Sequence, residues 1–455
     1  MPMEFIISET DEVLVSHAGL ALVGVMLRQS LLGKRLDAIS LGQRKRPELS
    51  HGDVLSSMIG LLCLGKSDYA DVEPFRSETF FRRAMGLRKL PSEETLRQRM
   101  DQLGTMPIAA LEEESARLIA RHAPALTPCH GDWIPLDIDV SPFDNSRTKK
   151  EGVAWTYKKL DGYAPNFAYL GVEGYLIHCE LRPGNQHCQD GTPEFLDRAI
   201  ELARQVTDGK LLVRLDAGND DAENLRRLRK AKGVGWIIKR NLRRESEAEW
   251  LEEAEALGER EEPRPGKEVY SGMTWRERDG RPYRVVFEVV RRTIDADGQR
   301  LLLPEVEIAT WWTSLTLPAK RVIELYQQHG TSEQFHSELK SDLDLERLPS
   351  GKFATNALML SLGMVAYNLL RLCGQAALAE DGKMPPGERM PLEKPVFRRR
   401  VRSVIQDLMY FAARLTQHAR RFGLALWLEN PWRFVWQRLY HRFARPPHLP
   451  RLHPR

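Results

Sequence analysis

Over the first 130 residues the apolar positions recur at helical spacing, as at Val54, Met58, Leu61 and Leu62, and predict a helical region. Pro91-Ser92-Glu93-Glu94 opens one of its helices, with Ser92 placed to cap free N–H groups and two acids at the positive end of the dipole. The period changes to two at Trp133, where Ile134, Leu136, Ile138 and Val140 alternate with other residues in a strand pattern. Strands follow at 166–172 and 175–181, then a helix at 192–206, a strand at 210–215, a helix at 221–232 and a strand at 235–239. Consecutive strands can pair as hairpins, whereas the later ones need helical crossovers, so the order predicts an α/β fold: a mixed sheet with flanking helices.

Residues 243–315 interrupt this with an acidic helix and a β-rich insertion, whose Asp279-Gly280 and Asp297-Gly298 are hairpin turns. Helical texture returns over 316–378, a Gly/Pro/Lys-rich linker follows, and the 379–455 region is expected to end in a basic helical tail. The expected division is thus 1–130, 131–242, 243–315, 316–378 and 379–455.

Composition adds a hidden asymmetry. The chain of 455 residues carries 67 Lys/Arg and 63 Asp/Glu, a net of only +4. Residues 391–455 hold 14 of the basic and 3 of the acidic residues, +11, so the rest carries −7. A basic tail bearing Trp427, Trp432 and Trp436 suits a phosphate backbone, with a solvated helix face as the plain alternative. Arg44-Lys45-Arg46 and Arg97-Gln98-Arg99 offer similar contacts in the N-terminal region. Five scattered cysteines do not form a disulfide framework, and with no basic-then-apolar leader a cytoplasmic setting is expected. The most apolar stretch, Ala357 to Leu370, is shorter than the roughly 20 residues of a membrane span and is read as a buried core helix. His178-Cys179 and His187-Cys188 match no zinc spacing.

Three acids stand out. Asp137 and Asp139 lie on the less apolar face of the strand at 134–140, Asp216 ends the apolar run 211–215, and Glu333 lies in the helix after the insertion. A carboxylate at the carboxyl end of a buried strand projects toward the ligand crevice of an open α/β sheet. Clustered carboxylates repel unless cations bind between them. Oxygen donors without cysteine suit Mg²⁺ or Mn²⁺, and two such ions about 4 Å apart can clamp an in-line phosphoryl displacement.

The segment Tyr326-Gln-Gln-His329-Gly-Thr-Ser-Glu333-Gln-Phe-His-Ser-Glu-Leu-Lys340 resembles the Y-x2-R-x3-E-x6-K pattern of bacterial insertion-sequence DDE transposases, with His329 where the pattern has Arg. The resemblance, strongest to the thirteen-eighty group, extends to Leu136–Ser141 as the first-Asp strand, Arg214–Gly218 as the second-Asp strand and Leu181–Asn185 as the hairpin between them. It implies an RNase H-like core in which Asp139, Asp216 and Glu333 hold two Mg²⁺ ions, or Mn²⁺, with Asp137 the alternative to Asp139. It also implies that Tyr326, His329 and Lys340 sit beside DNA, and that Trp311 or Trp312 holds an unstacked base. The implied activity is cleavage and strand transfer at the terminal inverted repeats of the protein's own element. The implied partners are double-stranded DNA, at the element ends and the target, and a second copy in a homodimer. The setting would be cytoplasmic and nucleoid-associated. The alternative reading is an inactive relic that only binds DNA.

Overall fold

The computed structural model describes residues 5–42, 47–242, 245–295, 297–379, 384–385, 388–419 and 421–445. Arg44-Lys45-Arg46, Arg420 and much of the expected linker lie outside the described residues. The chain forms two compact units, one of residues 125–337 and one that joins residues 1–124 to 338–455.

The 125–337 unit is built on one nine-stranded sheet. Its strands in chain order are β1 (Trp133–Val140), β2 (Asn166–Leu170), β3 (Tyr175–Glu180), β4 (Lys210–Leu215), β5 (Val234–Lys239), β6 (Glu259–Arg264), β7 (Lys267–Arg278), β8 (Arg281–Ile294) and β9 (Arg300–Thr313). The spatial order is β6-β7-β8-β9-β5-β4-β1-β2-β3. β1 pairs antiparallel with β2 across a long connection (141–165) that carries a small three-stranded sheet, β2 and β3 form a hairpin, and β4 and β5 run parallel to β1. The helices Thr192–Val206 and Ala222–Lys230 supply the crossovers that parallel strands require. The expected succession of strands and helices is therefore present.

The insertion is not a separate module. Trp311, Trp312 and Thr313 at the end of β9 pair antiparallel with Lys239, Ile238 and Ile237 of β5, so the insertion extends the central sheet by four strands. Asp279 (φ 51°) and Gly280 (φ 68°) turn β7 into β8 with two left-handed residues, as a type I′ hairpin demands.

The other unit is mainly helical. Ser92 caps the helix Glu93–Leu103 as expected, accepting from Thr95 N–H. Its central element is the helix Phe353–Ala379, 27 residues long and buried against the helices His51–Cys63 and Ile108–His122. By length and composition this helix could cross a membrane, which the reading of Ala357–Leu370 did not anticipate; its apolar window is entirely buried inside the fold. Several polar residues within it are paired internally. Asn368 donates to Ser115 Oγ (2.9 Å), and the buried Arg371 guanidinium donates to the Glu338 carboxylate.

Two expectations are corrected here. Residues 338–378 group with the N-terminal helices, because Phe353–Ala379 packs its apolar surface there rather than on the sheet. The tail is only partly helical: Ala413–His418 and Arg421–Leu426 form a hairpin, and Val13–Val15 adds a third strand to it. The dense arginines of the tail are largely engaged inside the protein. Arg398 pairs with Glu338, Arg399 with Asp407, and Arg400 with Asp342 at 2.8 Å. Trp432 and Trp436 are buried, leaving Trp427 exposed.

His122 makes this unit acid-sensitive. It is buried edge-on to Phe443, its Nε2 has no hydrogen-bond partner among the described residues, and burial, with Arg121 and Arg442 nearby, pushes its pKa down to about 4. The unfolded chain takes up this proton near pH 6.5, the folded one only near pH 4. Stability present above pH 6.5 should fall as the pH drops, by about 2 kcal/mol at pH 5. Urea unfolding at pH 7 and pH 5 checks this, and His122→Leu should flatten that part of the difference.

Candidate active site

Asp137 and Asp139 leave β1 on the same face, so facing does not separate them. Their partners do. Asp137 sits opposite Arg214 in the β1–β4 register, and the two side chains form a bidentate pair, with Nε at 2.5 Å and Nη2 at 2.7 Å. His329 Nδ1 lies 3.1 Å from the same carboxylate, and Arg214 also donates to the Leu325 carbonyl. Burial opposes the Asp137 charge, but Arg214 and His329 outweigh it and hold the carboxyl below its usual range. The same partnership raises the His329 pKa against the effect of its own burial. Asp137 is thus a structural anion.

Asp139, two residues nearer the carboxyl end, is partly exposed. Its Oδ2 accepts from Ser332 Oγ (3.3 Å) and from His336 Nε2 (3.1 Å). Burial raises its pKa, but the His336 hydrogen bond leads the effects that bring it below the usual range. Asp216 follows the last residue of β4, the strand adjacent to β1. Burial, then the negative charge of Asp139, pushes its carboxyl up, although Asn219 donates to it at 2.6 Å. Two carboxylates from neighbouring parallel strands thus face one another closely enough to repel.

Beside Asp216 lies a groove of about 700 Å³, walled by Asp216, Val140, Gly218, Cys188, Tyr157 and Asn241 among others. Tyr157 donates to the Val140 carbonyl (2.9 Å), and its pKa is raised by burial and by Asp139 and Asp216. Tyr326 is raised in the same way, by burial and then by Asp216, Asp139 and Asp137. Both phenols therefore remain protonated donors beside the acids.

The other expected site residues are placed as follows. Glu333 is exposed on the short helix Ser332–Ser337, and among the described residues no three His, Cys, Asp or Glu side chains gather as a metal cluster. His329 is buried against Asp137, so its imidazole is not presented to solvent. Lys340 lies in the π-helical turn Glu338–Asp342, which belongs to the other compact unit. Trp311 and Trp312 are both core, 3% and 1% exposed, and point to opposite faces of β9. Trp311 packs against Tyr326 with Leu212, Ile237 and Val322, while Trp312 donates to Asp220 at 2.8 Å under the Arg240 guanidinium. Neither ring has a face open to a base in this arrangement.

His336, Ser332 and Asn219 were not singled out by the sequence, though each contacts one of the two facing aspartates. His336 had a signal: it stands three residues after Glu333, one helical turn, within the same motif.

A hard divalent cation fits the oxygen donors of Asp139 and Asp216, since it would relieve the repulsion that raises Asp216. Glu333, the third expected position, is exposed on the short helix Ser332–Ser337.

The chain belongs to the transposase DDE domain group 1 family, whose sequence profile matches residues 6–448. That family performs nuclease and DNA transesterification chemistry, generally with divalent metal ions, and its members bind DNA. No curated protein sequence matches the chain. Among solved structures it is similar to the piggyBac transposase, determined as a synaptic complex with hairpin DNA: 10% identity, a TM-score of 0.43, and coverage of 96% of this chain and 84% of that one.

Proposed function

We propose that this protein is the transposase of a bacterial insertion sequence of the thirteen-eighty group. On this reading it binds the element's terminal inverted repeats, cleaves there and joins the ends to target DNA. The observation that carries this is the Asp139–Asp216 pair at the carboxyl ends of adjacent parallel strands β1 and β4. The order β3-β2-β1-β4-β5 supports an RNase H-like core, since three antiparallel strands and two parallel crossover strands are what that core requires.

Asp139 and Asp216 would hold the divalent ions, Mg²⁺ or Mn²⁺, with Glu333 as the third ligand. Bound there, the ions supply activation of the attacking oxygen and neutralisation of charge at the leaving one. The chain's own residues set the stage. Asn219 and His336 orient the two carboxylates, and Tyr326 and Tyr157 place phenolic donors nearby. Attack of water on the scissile phosphorus releases a DNA 3′-hydroxyl, and attack of that hydroxyl on target DNA joins the strands. Lys340 would contact a phosphate as a point charge. Two ends joined to one target call for two copies, and the setting is the bacterial cytoplasm at the nucleoid.

Glu333's exposure and the burial of His329 favour a second reading, a relic that binds ends without cutting them. One assay separates the two. Purified protein with Mg²⁺ should nick a duplex carrying the element's terminal repeat and leave a scrambled duplex intact. End-specific binding without any nicking, in Mg²⁺ and in Mn²⁺, would select the relic.

A further inference from the structure

Two side-chain donors converge on one oxygen of Asp139, Oδ2: Ser332 Oγ at 3.3 Å and His336 Nε2 at 3.1 Å, and the Val140 N–H also donates to the carboxylate. Oδ1 accepts from neither of those side chains. The other nitrogen of His336, Nδ1, lies 3.1 Å from the Tyr169 hydroxyl, and the pair is buried. A phenol hydroxyl donating into Nδ1 leaves the imidazole proton on Nε2, where it points at Asp139. The order of donation is Tyr169 to His336 to Asp139.

The imidazole is held in place by packing as well. It lies 5.2 Å from the Phe167 ring, and the Tyr169 ring lies 4.9 Å from Phe335, its neighbour on the short helix. Gly174, at φ 72°, lets that helix approach: a Cβ there would come within 2.3 Å of the Phe335 ring. Ser332 and His336 are four residues apart, one turn, so a single helix face delivers both donors.

We infer that His336 is a positioning residue for the reaction: with Ser332 it fixes the Asp139 carboxylate by Oδ2 in the orientation from which it would hold a cation, and Tyr169 fixes the proton on His336 Nε2. A ligating carboxylate so held loses less freedom on binding, and removing such an outer contact typically weakens metal affinity about 10–100-fold. The inference rests on the proposed role of Asp139 as a metal ligand.

Mn²⁺ titration of the DNA-free protein, read by electron paramagnetic resonance, tests it without any activity. His336→Leu should weaken Mn²⁺ binding about 10-fold or more, and Tyr169→Phe by a smaller factor. His336→Gln, whose amide N–H can replace Nε2–H, should stay near wild type. A second readout needs no metal: ¹⁵N spectra of histidine-labelled protein should show His336 protonated at Nε2, with the signal shifted in Tyr169→Phe. Melting temperatures identify any variant that fails to fold, and Tyr169→Phe, which removes one oxygen, keeps the test open if His336→Leu does. Unchanged Mn²⁺ affinity in both His336→Leu and Tyr169→Phe, or a His336 protonated only at Nδ1, overturns the inference alone. A wild type that binds no Mn²⁺ overturns the metal reading beneath it as well.

Discussion

Replacing Asp216 with Asn should lower the rate of strand cleavage by about 10³-fold or more, as loss of a central electrostatic element does, while making the metal-free protein more stable. The two effects share one cause. Burial and the Asp139 charge raise the Asp216 carboxyl, so the ionised side chain costs stability at neutral pH. An acid with a raised folded pKa is destabilising above that pKa and neutral below its unfolded value. Asn removes the charge but keeps the size and a carbonyl acceptor for Asn219. Thermal melts without metal should therefore show Asp216→Asn above wild type. Mg²⁺ should narrow or reverse the order, because only the wild type gains from binding. A variant that cuts at the wild-type rate would remove Asp216 from the reaction.

The second large effect falls on the neighbouring acid. Asp137→Asn should destabilise the protein by about 3–5 kcal/mol, because it strands the Arg214 guanidinium, 2% exposed, without its bidentate partner. Asp139→Asn, two residues along the same strand, should abolish cleavage and destabilise far less than Asp137→Asn, losing only the part its His336 hydrogen bond contributes. Replacing both members of the pair, Asp137→Leu with Arg214→Met, should recover much of the loss, since apolar isosteres often match a buried pair. Denaturant unfolding measures all three. If Asp137→Asn folded normally and lost only cleavage, the assignment of the two acids would be exchanged.

That pair also marks where sequence reading stops. Alternation along 134–140 found β1 and its facing, and the Asp-Gly turns found the hairpins, because both are local properties of a strand. The resemblance already put Asp139 ahead of Asp137, but the partner that sets Asp137 apart comes only from the β1–β4 register, which brings Arg214 from 77 residues away. His336 was hidden for a related reason. Its spacing from Glu333 was visible, but which of the two faces Asp139 depends on how the helix is rotated. A 3₁₀ turn at Gln328–Thr331 and a π turn at Glu338–Asp342 bracket that helix, so ideal 3.6-residue phasing does not carry through the motif. The long helix was underestimated because Thr355, Asn356, Arg371 and Gln375 interrupt its apolar run, yet they are buried. Asn356, for instance, bonds the Ser350 carbonyl at 2.8 Å. The tail hairpin pairs with Val13–Val15, a partner some 400 residues earlier that no local window includes.

The discontinuity of the helical unit has a consequence for synthesis. The helices His51–Cys63 and Ile108–His122 leave the ribosome early, but Phe353–Ala379, against which they bury their apolar faces, is made more than 200 residues later. At about 10 residues per second that delay is roughly 20 s. The sheet-bearing unit, contiguous in the chain, can close in the meantime. The nascent protein thus passes through a stage in which its middle is folded and its beginning still offers sticky helices, the period in which a holdase chaperone would find it.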